Sequence, residues 1–334
     1  MTVTVVVGGF YGDEGKGKIV AFLSLKDSHS LAVRGGVGPN AGHTVNFGDQ
    51  VLKLRMLPSA VVNKSTKLLI GPGVLVNPDI TLNEATKYDA LNRLVVDKRC
   101  AIIEKKHIES DKSGFLASKV GSTGSGTGPA NSDRIMRIAK LAKDIDIFQN
   151  YIDDVPDIVN STIDSGNDVL VEGTQGTFLS LYFGNYPFVT SKDVTASAIC
   201  SDIGLGPKKV DDVIVIFKAF VTRVGEGPFT GELSPEETEN RGWAEIGTVT
   251  GRTRRAAPFD FTLAKKAIML NSASSIAITK LDVLYPSARG VTKYEELDSP
   301  SKSFIENIEK ELKINVSLIG TGPEVYETID RRVK

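Results

Sequence analysis

Apolar residues in this chain come in short β-branched runs separated by stretches of helical spacing. The first run, 2–7, leads into Gly-rich turns, after which Ile19, Val20, Phe22 and Leu23 recur at helical intervals; the chain opens as strand, loop, helix. Residues 31–33 and 67–70 predict two more strands, and 45–54 alternates around Gly48-Asp49 as a hairpin does. Asp79 stands where it would cap a helix reaching about residue 91, and 95–96 and 101–103 read as short strands. A helix is predicted over 131–143, with Arg134 and Arg137 in its early turns. Beyond it, strands at 169–171, 213–220, 275–279 and 316–319 alternate with helices at about 155–165, 259–270 and 303–312. This alternation is the signature of a mostly parallel sheet with crossover helices. The expected fold is α/β, a large, mostly parallel twisted sheet flanked by helices. A length of 334 residues suits one large unit or two. With no internal repeat and no linker between folded units, a single domain over 1–334 is the expectation.

Composition adds limits. Hydrophobic residues at 41% and charged residues at 24% describe a soluble globular protein with enough apolar content for a core. A formal net charge of −1 argues against a protein built to coat nucleic acid or an acidic membrane. Bound anions must then be held by local charge, such as the cluster from Arg252 to Arg255. Cys100 and Cys200 are too few for a disulfide framework and lack metal-ligand spacing; their apolar or small neighbours predict buried free thiols. No run approaches the roughly eighteen apolar residues of a membrane span. The N-terminus lacks a charged leader region and a cleavage site, so the expected location is the cytoplasm.

Candidate chemistry concentrates in the loops. Gly8-Gly9-Phe10-Tyr11-Gly12-Asp13-Glu14-Gly15-Lys16-Gly17-Lys18 presents backbone N–H groups and the positive end of a helix to an anion. Its lysines add charge, and Asp13 supplies a carboxylate where a phosphate-bound Mg2+ could sit. Residues 12–18 fit the phosphate-loop pattern G-x-x-x-x-G-K, yet Ile19 stands where a Ser or Thr should meet the metal. Either the match is chance or another group does the work of the hydroxyl. Glycines crowd the stretch that ends in Asn40-Ala41-Gly42-His43-Thr44, which brings backbone close to a ligand. His43 there and Asp13 would supply an acid and a base, although a lone histidine is as readily structural. His29 and His107, set among Ser, Lys and Glu, are expected in solvent.

The stretch Gly121-Ser122-Thr123-Gly124-Ser125-Gly126-Thr127-Gly128-Pro129 suits a linker or a phosphate loop, and composition alone favours the linker. Glu172-Gly173-Thr174-Gln175-Gly176-Thr177 follows a strand, where α/β sheets place ligands, and Gln175 can donate and accept as a purine requires. An ordinary turn would look the same. Thr248-Val249-Thr250-Gly251-Arg252-Thr253-Arg254-Arg255 packs three guanidinium groups into four residues, forks suited to carboxylate or phosphate. In Thr279-Lys280-Leu281-Asp282, at a strand end, the Asp can accept from guanine N1–H and its amine while the Lys stem covers the base; this selects GTP over ATP.

On these motifs, with Thr222-Arg223-Val224-Gly225 and Gly320-Thr321-Gly322-Pro323 in family order, the chain resembles the adenylosuccinate synthetases. These are GTP-dependent ligases that join L-aspartate to IMP through 6-phosphoryl-IMP in AMP synthesis. The resemblance implies a catalytic set of Asp13, His43 and Gln175, and Mg2+ on Asp13 and the Gly42 carbonyl, which would account for Ile19. It implies GTP contacts from Gly12, Asp13, Glu14, Gly15, Lys16, Gly17, Lys18, Gly42, His43, Thr44 and Arg254, with Lys280, Leu281, Asp282, Gly320, Thr321 and Gly322 around the base. Implied IMP contacts are Asp13, Lys16, Asn40, Ala41, Gly42, His43, Thr123, Gln175, Thr190 and Arg252, with Arg137 reaching the IMP phosphate of the other subunit in a homodimer. Aspartate would lie against Thr248, Val249, Thr250, Gly251, Arg252, Thr253 and Arg254. On this reading 121–129 is the IMP phosphate loop and not a linker. The chain departs from the family in a shortened stretch between Arg137 and Glu172, an extra residue in the 35–39 loop, Val249 and Ser125 in place of a usual Thr and Arg, and Thr253 within an arginine run. A GTPase switch or GTP-dependent kinase would use the same loop and Lys-x-Asp pair, but leaves the arginine loop and 121–129 unexplained.

Overall fold

The computed structural model describes residues 2–247, 251 and 253–332. Its strands begin with β1 (Val3–Gly8), β2 (Leu31–Arg34), β3 (His43–Phe47), β4 (Gln50–Leu54), β5 (Lys67–Ile70), β6 (Leu75–Val76), β7 (Leu94–Asp97) and β8 (Ala101–Ile102). They continue with β9 (Ile152–Asp153), β10 (Val169–Glu172), β11 (Asp212–Lys218), β12 (Val221–Arg223), β13 (Arg255–Ala257), β14 (Ser275–Thr279), β15 (Val316–Gly320) and β16 (Thr328–Asp330). Ten of these form one sheet in the order β16-β15-β14-β11-β1-β10-β2-β5-β7-β9. All its neighbouring pairs are parallel except β15 with β16. The expected mostly parallel α/β sheet is what the chain builds.

Strand alternation sorts the apolar residues into two cores, one on each face. Val3, Val5 and Val7 join one core and Val6 the other; Val169 and Val171 oppose Leu170 in the same way, and Ile276 and Ile278 oppose Ala277. Helices cover both faces: α1 (Lys16–Lys26), α2 (Pro78–Lys87), α3 (Lys105–Ser113), α4 (Thr127–Ile135), α5 (Val155–Asp164), α6 (Ala196–Asp202), α7 (Pro235–Asn240), α8 (Phe261–Asn271), α9 (Leu281–Leu284) and α10 (Ser299–Leu312).

Several expectations need correction. Asn77, not Asp79, caps α2: its Oδ1 accepts from Ile80 N at 3.0 Å, and the helix ends at Lys87. The helix placed at 131–143 starts at Thr127, inside the Gly-rich stretch, and ends at Ile135, so Arg137 lies beyond it. Pro129 is tolerated there because the first helical turn has no use for its missing N–H. Asp298 caps α10, which begins four residues earlier than expected. His29 and His107 are buried, not solvated. His29 Nδ1 meets the Leu23 carbonyl at 3.2 Å, while His107 caps α3 through Nδ1 and pairs with Asp133 through Nε2. Cys100 and Cys200 are buried free thiols, as expected, and burial pushes both thiol pKa values up.

From β1 the sheet grows in opposite directions, with β11, β14 and β15 on one side and β10, β2 and β5 on the other. A crevice at the carboxyl ends of the strands forms where the order switches in this way. The loops after β1, β2, β10, β14 and β15 carry the candidate residues to that edge.

Candidate active site

These loops surround a cavity of about 690 Å³, within the range of small-molecule sites. Its walls include the β1–α1 loop, residues 40–44, Thr123, Gln175, Thr190, Arg223, Glu245, Arg254, Lys280 and Gly322.

Glu14 shapes the β1–α1 loop from within. It is buried and accepts from the amides of Phe10 (3.0 Å) and Gly12 (2.8 Å), while its other oxygen accepts from Lys16 Nζ at 2.8 Å. The Glu14 side chain thus folds the cradle whose amides, Glu14's own among those expected to meet GTP, lie at the unpaired start of α1. Ile19 is fully buried in the core, so no hydroxyl reaches the cavity from that position. Gly17 is required by close approach: a Cβ there would stand 3.0 Å from His43 Cβ and 3.1 Å from Ser59 Oγ. Lys18, expected on phosphate, has its ammonium engaged within the protein. Its Nζ donates to the carbonyls of Gly322 and Glu327, each at 2.5 Å.

His43 is held by a buried cluster. Its Nδ1 lies 2.8 Å from Arg34 Nη1 and 3.3 Å from Ser59 Oγ, and it hydrogen-bonds Glu172 Oε1. Arg34 pairs with Glu172 at 3.0 Å, and Glu172 also accepts from Ser59 N (2.6 Å) and Ser59 Oγ (2.7 Å). Burial, then Arg34, push the imidazole down to about 4 against the pull of Glu172, so His43 is neutral at pH 7. Burial alone would raise the Glu172 carboxyl, but Arg34 and His43 outweigh it and hold it at about 2. Nδ1 bare toward Arg34 leaves the proton on Nε2; Nδ1–H toward Glu172 leaves Nε2 bare.

A second cluster holds the candidate base. Arg254 Nε lies 2.9 Å from Asp13 Oδ2, and its Nη1 donates to Glu245 Oε2 at 2.5 Å. The same carboxylate accepts from the buried Lys218 Nζ at 2.6 Å and lies 3.3 Å from Lys280 Nζ. Burial would raise Glu245, but Lys218, Lys280 and Arg254 hold it at about 2. A third group unites distant segments: Gln175 Nε2 donates to Asn40 Oδ1, and Asn40 Nδ2 to Thr190 Oγ1, both at 3.1 Å. Gln175 Oε1 and Asp282 Oδ1 are buried and accept no hydrogen bond from the described residues.

Backbone strain marks the same places. Asp13 (φ 61°), Arg137 (φ 64°), Gln175 (φ 54°) and Lys280 (φ 63°) are four of eight non-glycine residues with positive φ among the described residues, a conformation that gathers at functional sites. Arg137 is not on the cavity wall; it is exposed on the turn after α4, beside the exposed Ile135, Met136 and Ile138. Thr248, Val249, Thr250 and Arg252 lie outside the described residues. Of that loop's flanks, Gly251 and Thr253 are exposed, and Thr253 bridges to Ile246. Thr123 Oγ1 lies 2.8 Å from Ser125 Oγ, which accepts from Arg55 Nη2 at 3.0 Å.

Sequence reasoning passed over Arg34, Ser59, Lys218 and Glu245. Two of them carried a signal, because Arg34 closes an otherwise apolar strand and Lys218 ends the apolar run 213–217.

The sequence profile of the adenylosuccinate synthetase family matches residues 5–146 and 138–287. The adenylosuccinate synthetase of Methanocaldococcus jannaschii is 53% identical over 336 residues, spanning 99% of this chain and 97% of that one. The chain belongs to the adenylosuccinate synthetase family. The synthetase of Archaeoglobus fulgidus is 54% identical over 333 residues and 99% of each chain, so the compact length is shared with these relatives. A fully ligated adenylosuccinate synthetase from Plasmodium falciparum has the same fold, with a TM-score of 0.92 at 24% identity over 99% of this chain and all of that one. A cyanophage S-2L succinoaminodeoxyadenylate synthetase, bound to dGMP and to dATP as energy donor, superposes with a TM-score of 0.81 at 25% identity over 99% and 96% of the chains.

Proposed function

We infer that the chain ligates L-aspartate to IMP at the expense of GTP, giving adenylosuccinate, GDP and phosphate in AMP biosynthesis. It is a ligase that forms a C–N bond. The observation that carries the reading is the Asn40–Gln175–Thr190 row, three expected IMP contacts from separate segments joined on the wall that also holds Asp13.

Asp13 removes the N1 proton of IMP, and the released electron pair makes O6 the nucleophile. O6 attacks the γ-phosphorus of GTP, the bond to the β-phosphate oxygen breaks, and GDP leaves. His43, neutral and with Nδ1 accepting from Arg34, donates Nε2–H to the transferring phosphoryl oxygens. The aspartate amine then forms its bond to C6, the C6–O bond breaks, and phosphate departs with the proton the amine gives up, where a bare carbonyl oxygen would not leave. Arg254 spans both steps, since its fork already meets the Asp13 carboxylate and suits an incoming phosphate or carboxylate. The amides at the start of α1 and Lys16 seat the GTP phosphates, while Lys280 and the unpartnered Asp282 oxygen read guanine. The aspartate carboxylates go to the 248–254 loop.

A Mg2+ ion fits this donor set. Asp13 and Gly42 line the cavity, but no group of three or more His, Cys, Asp or Glu among the described residues could cage a metal. Asp13 and the Gly42 carbonyl would hold the ion together with substrate phosphate oxygens, the usual mode for Mg2+ on a nucleotide. When bound it offsets the phosphate charge.

The working form is a homodimer, with Arg137 supplied to the other subunit's IMP phosphate and the apolar Ile135, Met136 and Ile138 covered by the partner. One domain over 1–334 holds the site, and the location is the cytoplasm. No helix among the described residues is long and apolar enough to cross a membrane. Phosphate release from GTP tests the reading. It is expected only when IMP and L-aspartate are both present; release with GTP alone would replace the ligase by a GTPase switch.

A further inference from the structure

We propose that Lys18, at the lysine position of the phosphate-loop pattern, is a positioning residue of the base pocket that ties α1 to the turn after β15 and so sharpens the preference for guanine. This rests on reading Lys280, Asp282 and 320–322 as the guanine pocket. The ammonium has three N–H groups, and two are fixed on the carbonyls of Gly322 and Glu327, each at 2.5 Å. Lys16 differs, since its one described contact is the Glu14 carboxylate, which leaves donors for phosphate. The turn that Lys18 holds has further ties: Asn46 Nδ2 donates to the Pro323 carbonyl at 3.2 Å, Val325 N to the Asn46 carbonyl at 3.0 Å and Thr321 Oγ1 to the Val291 carbonyl at 2.7 Å. It also closes on itself. Thr321 N donates to the Glu327 carbonyl at 2.9 Å, and Glu324 N to Glu327 Oε2 at 2.8 Å. A Cβ on Gly322 would stand 2.2 Å from Glu327 Oε2, so a side chain there would have to displace the carboxylate that closes the turn.

The tie is doubled one strand away, where Thr279 Oγ1 donates to the Glu14 carbonyl at 2.7 Å. The two base-reading strand ends, after β14 and β15, are thus each fastened to the phosphate loop. Gly320 is packed into the same junction, 3.4 Å from Lys18 Nζ and from Thr279 Cα when a Cβ is built on it. Burial pushes the Lys18 ammonium down to about 8, while Glu327 and then Asp282 pull it back, so the guanine-reading carboxylate bears on this lysine.

GTP and ITP share a triphosphate and differ in the 2-amino group, which separates the base pocket from the phosphate seat. In Lys18→Met the ratio of kcat/KM for GTP over ITP is expected to fall about tenfold, the scale of one charge-assisted hydrogen bond. Lys18→Gln, whose amide keeps two N–H donors for the same carbonyls, is expected to recover part of that ratio. The inhibition constant of inorganic tripolyphosphate against GTP should stay at its parental value in both. If Lys18 is instead a phosphate ligand, GTP and ITP weaken together, the ratio is intact and the tripolyphosphate constant rises; that result overturns the proposal. Should Lys18→Met fail to fold, Lys18→Gln decides by the same two readings. Failure of the underlying pocket reading shows separately, as an Asp282→Asn variant with an unchanged GTP:ITP ratio.

Discussion

Replacing Glu172 by Gln takes one charge out of a cluster that solvent does not reach. Arg34 and Glu172 are 1% and 0% exposed and 3.0 Å apart. The other described hydrogen bonds of Arg34 go to His43 Nδ1 and the Arg55 carbonyl, neither an anion. Glu84 acts on Arg34 only as a weaker, more distant charge, its carboxylate being taken up by the amides of Arg55, Met56 and Leu57. Breaking a buried pair from one side costs about 3–5 kcal/mol, because the survivor is an uncompensated buried charge. The Gln carbonyl still accepts from Ser59, so Glu172→Gln belongs at the lower end, about 3 kcal/mol. Urea unfolding followed by circular dichroism at pH 7 measures it. The double variant Arg34→Met/Glu172→Leu removes both charges, and most of the lost stability should return, since apolar replacements of buried ion pairs are often neutral. Turnover should not return, because His43 has then lost two of the three Nδ1 partners that orient its ring, Arg34 and Glu172, and keeps only the 3.3 Å contact to Ser59 Oγ. A single variant within about 1 kcal/mol of the parent, or a double variant with parental kcat, would refute this account of the cluster.

Asp13→Asn should abolish turnover while circular dichroism shows an intact fold, Asn being at ease in the left-handed conformation that Asp13 adopts; near-parental turnover removes Asp13 from the mechanism. Mixing inactive Asp13→Asn subunits with Arg137→Ala subunits should restore part of the activity, since one site of each mixed dimer then has both residues; no recovery means that Arg137 acts in its own subunit or not at all. Acid should weaken the fold in two stages. The His43 value of about 4 lies below its ordinary 6.5, so the unfolded chain alone takes that proton and stability falls as pH drops from 6.5 toward 4. Glu172, depressed from 4.5 to about 2, adds a loss from pH 4.5 downward. Unfolding free energies of parent and His43→Gln between pH 7 and 4 check the first stage, whose slope should flatten in the variant.

The strands were legible because burial on both faces leaves a mark in sequence. β14 matches its predicted span, 275–279, to the residue. The expected span of β11, 213–220, starts one residue late and runs two past its end, because Ala219 and Phe220 are as apolar as the strand but turn toward β12. Helices without an apolar stripe were missed or misplaced. In α3 the buried residues are His107 and Asp111, polar groups held by a cap and, at Asp111 Oδ2, by the Gly126 amide, so no periodicity announces the helix. The Gly-rich composition of 121–129 hid the start of α4, which packs against α3. The site motifs were legible because they are local in sequence. What fixes their side chains was not, because Arg34 meets Glu172, and Lys218 meets Glu245, only once the sheet has formed.

Asp13, Gln175 and Lys280 carry side chains in a backbone conformation that glycine adopts freely. Relief at each position is worth about 1 kcal/mol or more. A laboratory selection for heat resistance alone would therefore find gains at the proposed base, the purine contact and the guanine reader. The most stable descendants of this chain would be the first to lose its chemistry, so any such campaign needs turnover as a second filter from its opening round.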